Sequence, residues 1–465
     1  MDEKLLSPKG TELICENIVN TKFEDLSEEN VKLFKRRLLD MVGCILGGAI
    51  VKENFFLEDQ YMKWGGLDEA PVFASEGKRL PVPSAVLLNS IKARSNDYGS
   101  MMFKMKEDAM PSHMGETLIP LGLTLADTLE VSGKEFITND IVAEDSMARL
   151  LYTLPVRFPV DMLLTASAAT AEAARYYKLD KEQLKNAFGY SVTNATDPGN
   201  SYYDYSEEFR YHNGASAQMG VMAALLAKGG WRGLVDPFYG QGGIVSSRVK
   251  DGNYPPLYEE IFEDLGKKYY TEIAFKVSPG GIPMTAMTYI GKDLYAQINA
   301  KYGKVEAADM KAVHVYGARN AYHGYYSNPF TLKNQVNALF AYRFAATAAI
   351  LYDGIKIKYM QTDYINEHPD LMRLAEEATM DIFDPEDGVA RMRVVVEMKD
   401  GTTFEASEKF FIMERPLTDE MLIEKFMNQF EAYGKLPKAN AEKIIELSGK
   451  IEELDNMKEF TSLFI

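Results

Sequence analysis

SEENVKLFKRRLLDMVGCILGG, residues 27–48, decides the fold. Ser27 is a helix N-cap residue. Glu28 and Glu29 follow it, where negative charge suits the positive end of a helix. Val31, Phe34, Leu38, Met41 and Ile45 then recur at the spacing that places apolar side chains on one helical face. Gly43, Gly47 and Gly48 let another backbone approach its end. The apolar stretch Met41–Val51 is about half the ~20 residues a membrane span needs, so it reads as a buried helix end.

The helical pattern continues outward from there. Pro83–Arg94 predicts a helix with proline at its start, and Leu163–Tyr177 is alanine-rich. Gly214–Lys228 carries Ala217, Gly220 and Ala224 at a spacing that suits close helix packing. After about Tyr270 the period changes. Lys311–Tyr316 alternates like a strand. Arg391–Met398, the turn Asp400-Gly401 and Thr402–Ala406 read as a hairpin, with an apolar helix over Asn337–Tyr352 between these strands. Helix returns at Thr418, with Leu422 and Phe426 facing inward. The expected fold is mainly α with an inserted α+β domain. A large helical domain takes residues 1–270 and 409–465, and a smaller α+β lid takes 271–408.

Lys and Arg total 51 against 68 Asp and Glu, a net charge of -17. No basic run interrupts that balance, which argues against a nucleic-acid partner. An anionic substrate would need a locally basic pocket. The two cysteines, Cys15 and Cys44, support neither a disulfide framework nor an iron–sulfur cluster, and fit a reducing cytoplasm. The N-terminus lacks a signal-peptide pattern. Gly240-Gln241-Gly242-Gly243 has neither the third glycine of a dinucleotide fingerprint nor a preceding strand. The five histidines show no metal-ligand spacing, so no metal or cofactor is expected. His314 reads as a packed or surface histidine within a strand, and His368 as an exposed one in a polar loop.

Four segments together resemble the MmgE/PrpD family of 2-methylcitrate dehydratases, cis-aconitate decarboxylases and iminodisuccinate epimerases. They are RRLLDMVGCILGGA (36–49); VPSAVLLNS, ARSNDY and HMGETLIPLGLTLAD within 82–127; HNGASAQMGVMAALLAKGGWRG (212–233), followed by AFKVSPGG (274–281); and DGTTFEASEKFFIMERPLTDEMLIEKF (400–426). The resemblance implies a helical domain with an α+β lid, a homodimer, no metal or organic cofactor, and a small anionic carboxylate as substrate. It carries four pocket residues over. Asp97 falls on the aspartate of the family's Ala-His-x-x-Asp stretch, and His113 on its His-Pro-Ser/Gly histidine. Lys276 falls on its Phe-Lys-x-x-Pro lysine, and Tyr326 where a lid tyrosine belongs. The departures are as specific. The family's Asp-Asp pair is Gly99-Ser100 here, and its histidine before the aspartate is Arg94. A further histidine lands near Pro159, a lysine near Phe209 beside Arg210, and the last histidine at Gly281.

Chemistry next to a carboxylate needs a base or acid near neutral pH and cations to hold developing charge. His113 is the first candidate, as acid or base; a helix-start histidine satisfied by backbone is the alternative. Lys276 binds a carboxylate or acts as a base if burial lowers its pKa, or is a surface lysine. Asp97 orients a neighbouring cation, or pairs structurally with Arg94. Arg210 and His212 sit at a helix start, where backbone N–H groups favour anions, and Arg210 suits a carboxylate clamp or a salt bridge. Tyr326 donates a proton or closes an aromatic lid. The leading expectation is a lyase, with an isomerase or epimerase as its enzymatic alternative and a non-catalytic binding paralogue as the third. Loss of several family histidines argues against turnover of cis-aconitate or 2-methylcitrate.

Overall fold

The computed structural model describes residues 9–154, 163–194, 204–240, 242–247, 261–319, 332–409 and 415–465. Its principal helices are α1 (Glu28–Gly48), α2 (Val82–Arg94), α3 (Gly115–Leu129), α4 (Gly133–Thr153), α5 (Thr165–Tyr176), α6 (Glu208–Lys228), α7 (Pro283–Tyr302), α8 (Tyr342–Tyr352) and α9 (Asp419–Tyr433). Ser27 caps α1 by accepting from the Asn30 amide, and Thr418 caps α9 by accepting from Met421. The glycines of α1 explain how its neighbours close on it. A Cβ on Gly48 would stand 1.8 Å from the Lys92 carbonyl oxygen of α2. On Gly47 or Gly43 it would stand 2.7 or 2.8 Å from the Gln429 side chain of α9. Early and late parts of the chain thus pack on one helix.

Leu38 and Ile45 of α1, Leu118 of α3, Ile141 of α4, Ala169 of α5 and Phe426 of α9 share one apolar cluster. Met287 of α7 and Phe344 of α8 share a second with a four-stranded sheet. Its strands are β1 (Met310–Ala318), β2 (Thr379–Phe383), β3 (Arg391–Met398) and β4 (Thr403–Lys409), in the order β2-β1-β3-β4. β1 is parallel to β2 and antiparallel to β3, and β3 is antiparallel to β4. Met392, Val394, Val396 and Met398 alternate inward, and Gly401 takes φ +84° in the hairpin turn. Most of α6 belongs to the first cluster, yet its Phe209 packs edge-on against Phe340 of the second at 5.4 Å. The fold is therefore mainly helical with an α+β part, as the periodicities require.

Two details differ from expectation. The apolar stretch 337–352 is not one helix: Gln335–Leu339 ends before α8, with Ala341 extended between them. The break points the Leu339 carbonyl at Gly281, whose N–H donates to it at 3.2 Å. Helix α6 begins at Glu208, with Arg210 in its first turn, which agrees with the reading of that segment as a helix start. His368 is half-buried, stacked on Tyr364 with ring centroids 3.7 Å apart, instead of exposed in a loop. No described helix is long and apolar enough to cross a membrane.

Candidate active site

The loop that leaves α2 carries the first functional groups. Arg94 is the last residue of α2, and Asp97 lies just beyond it at φ +45°, a left-handed conformation costly for a non-glycine residue. The chain then forms a small ribbon, Phe103–Met105 against Asp108–Met110, and enters α3 just after His113. That ribbon occupies much of the chain between Asp97 and His113. Met101 pairs with Ala274 as an antiparallel bridge, with N–H···O distances of 2.8 and 3.0 Å. The bridge aligns 272–276 beside the Asp97 loop and delivers Lys276 to it. Gly280, at φ +95°, donates its N–H to the Asn96 carbonyl at 3.0 Å and locks the other end.

Five ionisable side chains meet there, all buried. Lys276 Nζ lies 2.5 Å from Asp97 Oδ1 and 2.9 Å from the Asp97 carbonyl oxygen. Arg94 Nη1 contacts the same carboxylate and lies 2.9 Å from Glu116 Oε2. His113 Nδ1 is 3.3 Å from that Glu116 oxygen, and the Gly99 N–H donates to Glu116 Oε1 at 3.0 Å. Burial alone would raise the Asp97 pKa, but Lys276 and Arg94 outweigh it and hold the carboxyl far below its usual range. Glu116 is likewise held down, chiefly by Arg94 against the effect of burial. Burial pushes the Lys276 ammonium below its ordinary value. Burial, the Arg94 charge and Lys276 bring the His113 imidazole down to about 4, even with Glu116 beside it. His113 is therefore neutral at physiological pH, the form in which an imidazole can accept a proton.

Glu116 is the residue that sequence reasoning missed. It follows His113 by three positions, in the first turn of α3, and its signal was the glycine at 99. A Cβ on Gly99 would stand 2.6 Å from Glu116 Cγ. Where the family pattern carries an aspartate, this chain leaves room for a carboxylate from α3. Ser100 turns elsewhere: its hydroxyl donates to Glu272 Oε2 at 3.1 Å, beneath the site.

Arg210 approaches from α6. Its guanidinium carbon lies 5.1 Å from the centre of the Phe209 ring, and the Arg94 guanidinium carbon lies at the same distance from that ring. Nη2 donates to Gln335 Oε1 at 2.7 Å, while Nε and Nη1 have no hydrogen-bond partner among the described residues. Burial lowers its pKa to about 10, which leaves it cationic at neutral pH. His212 is half-buried two positions further on, roughly 160° round the helix from Arg210. Tyr326 and the region near Pro159 lie outside the described residues.

Asp97, His113 and Glu116 each offer an atom within 4.8 Å of the others, a spacing that suits a cation and that the scattered histidines gave no reason to expect. The electrostatics favour another occupant. Arg94 and Lys276 already sit on both carboxylates at direct-contact distance. A divalent ion would add its charge to these buried cations or displace them.

A helical protein with a neutral histidine, two cation-bound carboxylates and a partly free buried arginine is equipped for acid–base chemistry on an anion. The MmgE/PrpD N-terminal domain model matches residues 12–255, and the chain belongs to the MmgE/PrpD family. Members of that family are dehydratases and decarboxylases acting on carboxylates. The match includes Arg94, Asp97, His113, Glu116 and Arg210, and ends before Lys276. No curated protein matches the chain.

Proposed function

We propose that this protein is a cofactor-independent lyase acting on a small carboxylic acid, with His113 as the base. The observation that carries this reading is the neutral, buried His113 held between Glu116 and two cations. Glu116 lies on the Nδ1 side, which leaves Nε2 for substrate. In a dehydration, Nε2 takes the proton from the carbon next to the carboxylate. The electron pair of that C–H bond forms the double bond, and the β-hydroxyl leaves as water with a proton from the Lys276 ammonium. Arg210 binds the carboxylate, and Asp97 fixes Lys276. Decarboxylation uses the same cations to hold charge as CO2 departs. Tyr326 is proposed as a lid residue and His212 as a peripheral contact. The family resemblance extends the proposal to a cytoplasmic homodimer.

The test is a screen of hydroxy and unsaturated carboxylic acids in deuterated buffer, followed by NMR with and without prior chelation. Loss of water or CO2 in both conditions is the expected result, with cis-aconitate and 2-methylcitrate poor substrates. Deuterium uptake or inversion without loss of a group would make the enzyme an isomerase or epimerase instead. Binding without any exchange would make it a ligand-binding paralogue, and activity returning only with a divalent ion would overturn cofactor independence.

A further inference from the structure

Gln335 is fully buried at the start of the short helix Gln335–Leu339. Its side-chain carbonyl accepts from Arg210 Nη2 at 2.7 Å. Its NH2 group donates to Asn96 Oδ1 at 2.7 Å and to the Ser95 carbonyl at 3.1 Å. Its backbone N–H donates to Thr362 Oγ1 at 3.0 Å. One amide thus joins α6, the loop that carries Asp97, and the segment that leads into α8. The polarity of the amide is fixed, because its carbonyl faces a guanidinium and its NH2 faces two oxygens. Among the described residues Arg210 makes no ion pair, and its guanidinium lies over the ring of Phe209. A long side chain left free would have to be ordered at the moment of binding, which weakens the complex.

We propose that Gln335 is a positioning residue for Arg210. It fixes the guanidinium by one nitrogen, presents Nε and Nη1 to a substrate carboxylate, and keeps that anion in register with the Asp97 loop through Asn96. The inference rests on the reading of Arg210 as carboxylate receptor, and the two are separable by experiment. Acetate serves as the simplest carboxylate probe, titrated against the Arg210 Nε–H resonance, which Arg210→Lys identifies. Crystal structures of wild type and variants report the guanidinium position without any ligand.

Gln335→Leu is expected to release the guanidinium from its single position and to weaken acetate binding at least tenfold. Gln335→Glu keeps the side-chain shape but sets a carboxylate on Arg210, so acetate should no longer compete for it; this variant keeps the test available if Gln335→Leu does not fold. Gln335→Asn is expected to fall between. If Arg210 holds its position and its acetate affinity in both Gln335→Leu and Gln335→Glu, the positioning role is overturned. A lower melting temperature with neither change also overturns it, since that describes a residue that only packs. If wild-type Arg210 ignores acetate while Gln335→Leu displaces the guanidinium, the positioning stands and the carboxylate-receptor reading falls.

Discussion

At the scale of the residue, His113 shows how surroundings override an ordinary titration. Imidazole usually titrates near 6.5, but burial and the charges of Arg94 and Lys276 bring His113 to about 4. The acid limb of kcat/KM for the carboxylate substrate should therefore fall below the usual imidazole range, with no loss as pH rises from 6 to 8. His113→Asn should lower kcat by at least ~10²-fold, the usual scale for removing a general base. The same shift has a stability signature. Between about pH 4 and 6.5 the unfolded chain takes up the proton that the folded chain refuses. Stability tied to His113 is thus complete above that window and is lost as pH falls through it, by about 1.4 kcal/mol per pH unit at most. Urea melts at pH 5 and 7 check this: the drop at pH 5 should be smaller in His113→Asn. Equal drops in both proteins would mean that His113 is not held neutral by the fold.

At the scale of the element, the close approach of α1 and α2 positions the whole site, because α2 ends at Arg94. Gly48 has no room for a methyl group against the Lys92 backbone. Overpacking of this kind typically costs about 1–3 kcal/mol and more where backbone must move. Gly48→Ala should cost at least about 3 kcal/mol in a urea melt, and weaken turnover through the end of α2. A loss under 1 kcal/mol would show that the two helices part easily. The elements were readable from the sequence: caps at Ser27 and Thr418, the glycines of α1 and the hairpin around Gly401 are local signals, and each names its element without naming the partner it packs on. The break near Ala341 was not readable, because 337–352 is largely apolar with neither proline nor glycine, and the contact that the break makes, from Gly281 N–H to the Leu339 carbonyl, is a tertiary one. The site divides in the same way. Asp97, His113 and Lys276 were marked by motif. Glu116 sits in the segment after His113 without a role assigned to it and Gln335 in none of the segments, and their roles exist only once α2, α3, α6 and the 335–339 segment meet.

At the scale of the whole molecule, the site rests on a buried charge network that ties distant helices together. Arg37 of α1 is fully buried and makes two contacts with Glu144 of α4, at 2.5 and 2.8 Å. Asp140 and Glu272 each come within 3.8 Å of the same guanidinium, and Glu172 of α5 is buried close enough to raise their electrostatic cost. Glu272 also accepts from Ser100, from Ser112 and from the N–H of Gly115, so the network reaches the start of α3 beside His113. Three carboxylates around one guanidinium, with Glu172 near by, cannot all be ionised in a dry interior. Burial raises each of them, Asp140 to about 7 despite Arg37.

The consequence has the opposite sign to that of His113. The folded protein keeps a proton on Asp140 that the unfolded chain releases near pH 4. Stability from this group is fully present below about pH 4 and is lost as pH rises to about 7. Asp140→Asn keeps the shape, cannot ionise, and should be indifferent to that rise. Calorimetric scans at pH 5 and pH 8 supply the comparison. The melting temperature of the variant relative to wild type should climb between the two, and the variant should be the more stable protein at pH 8. A difference that does not change with pH would mean that Asp140 stays ionised in the folded chain. Arg37 would then have to satisfy more carboxylate charge than its geometry allows. The whole network would need a further buried cation beneath the site.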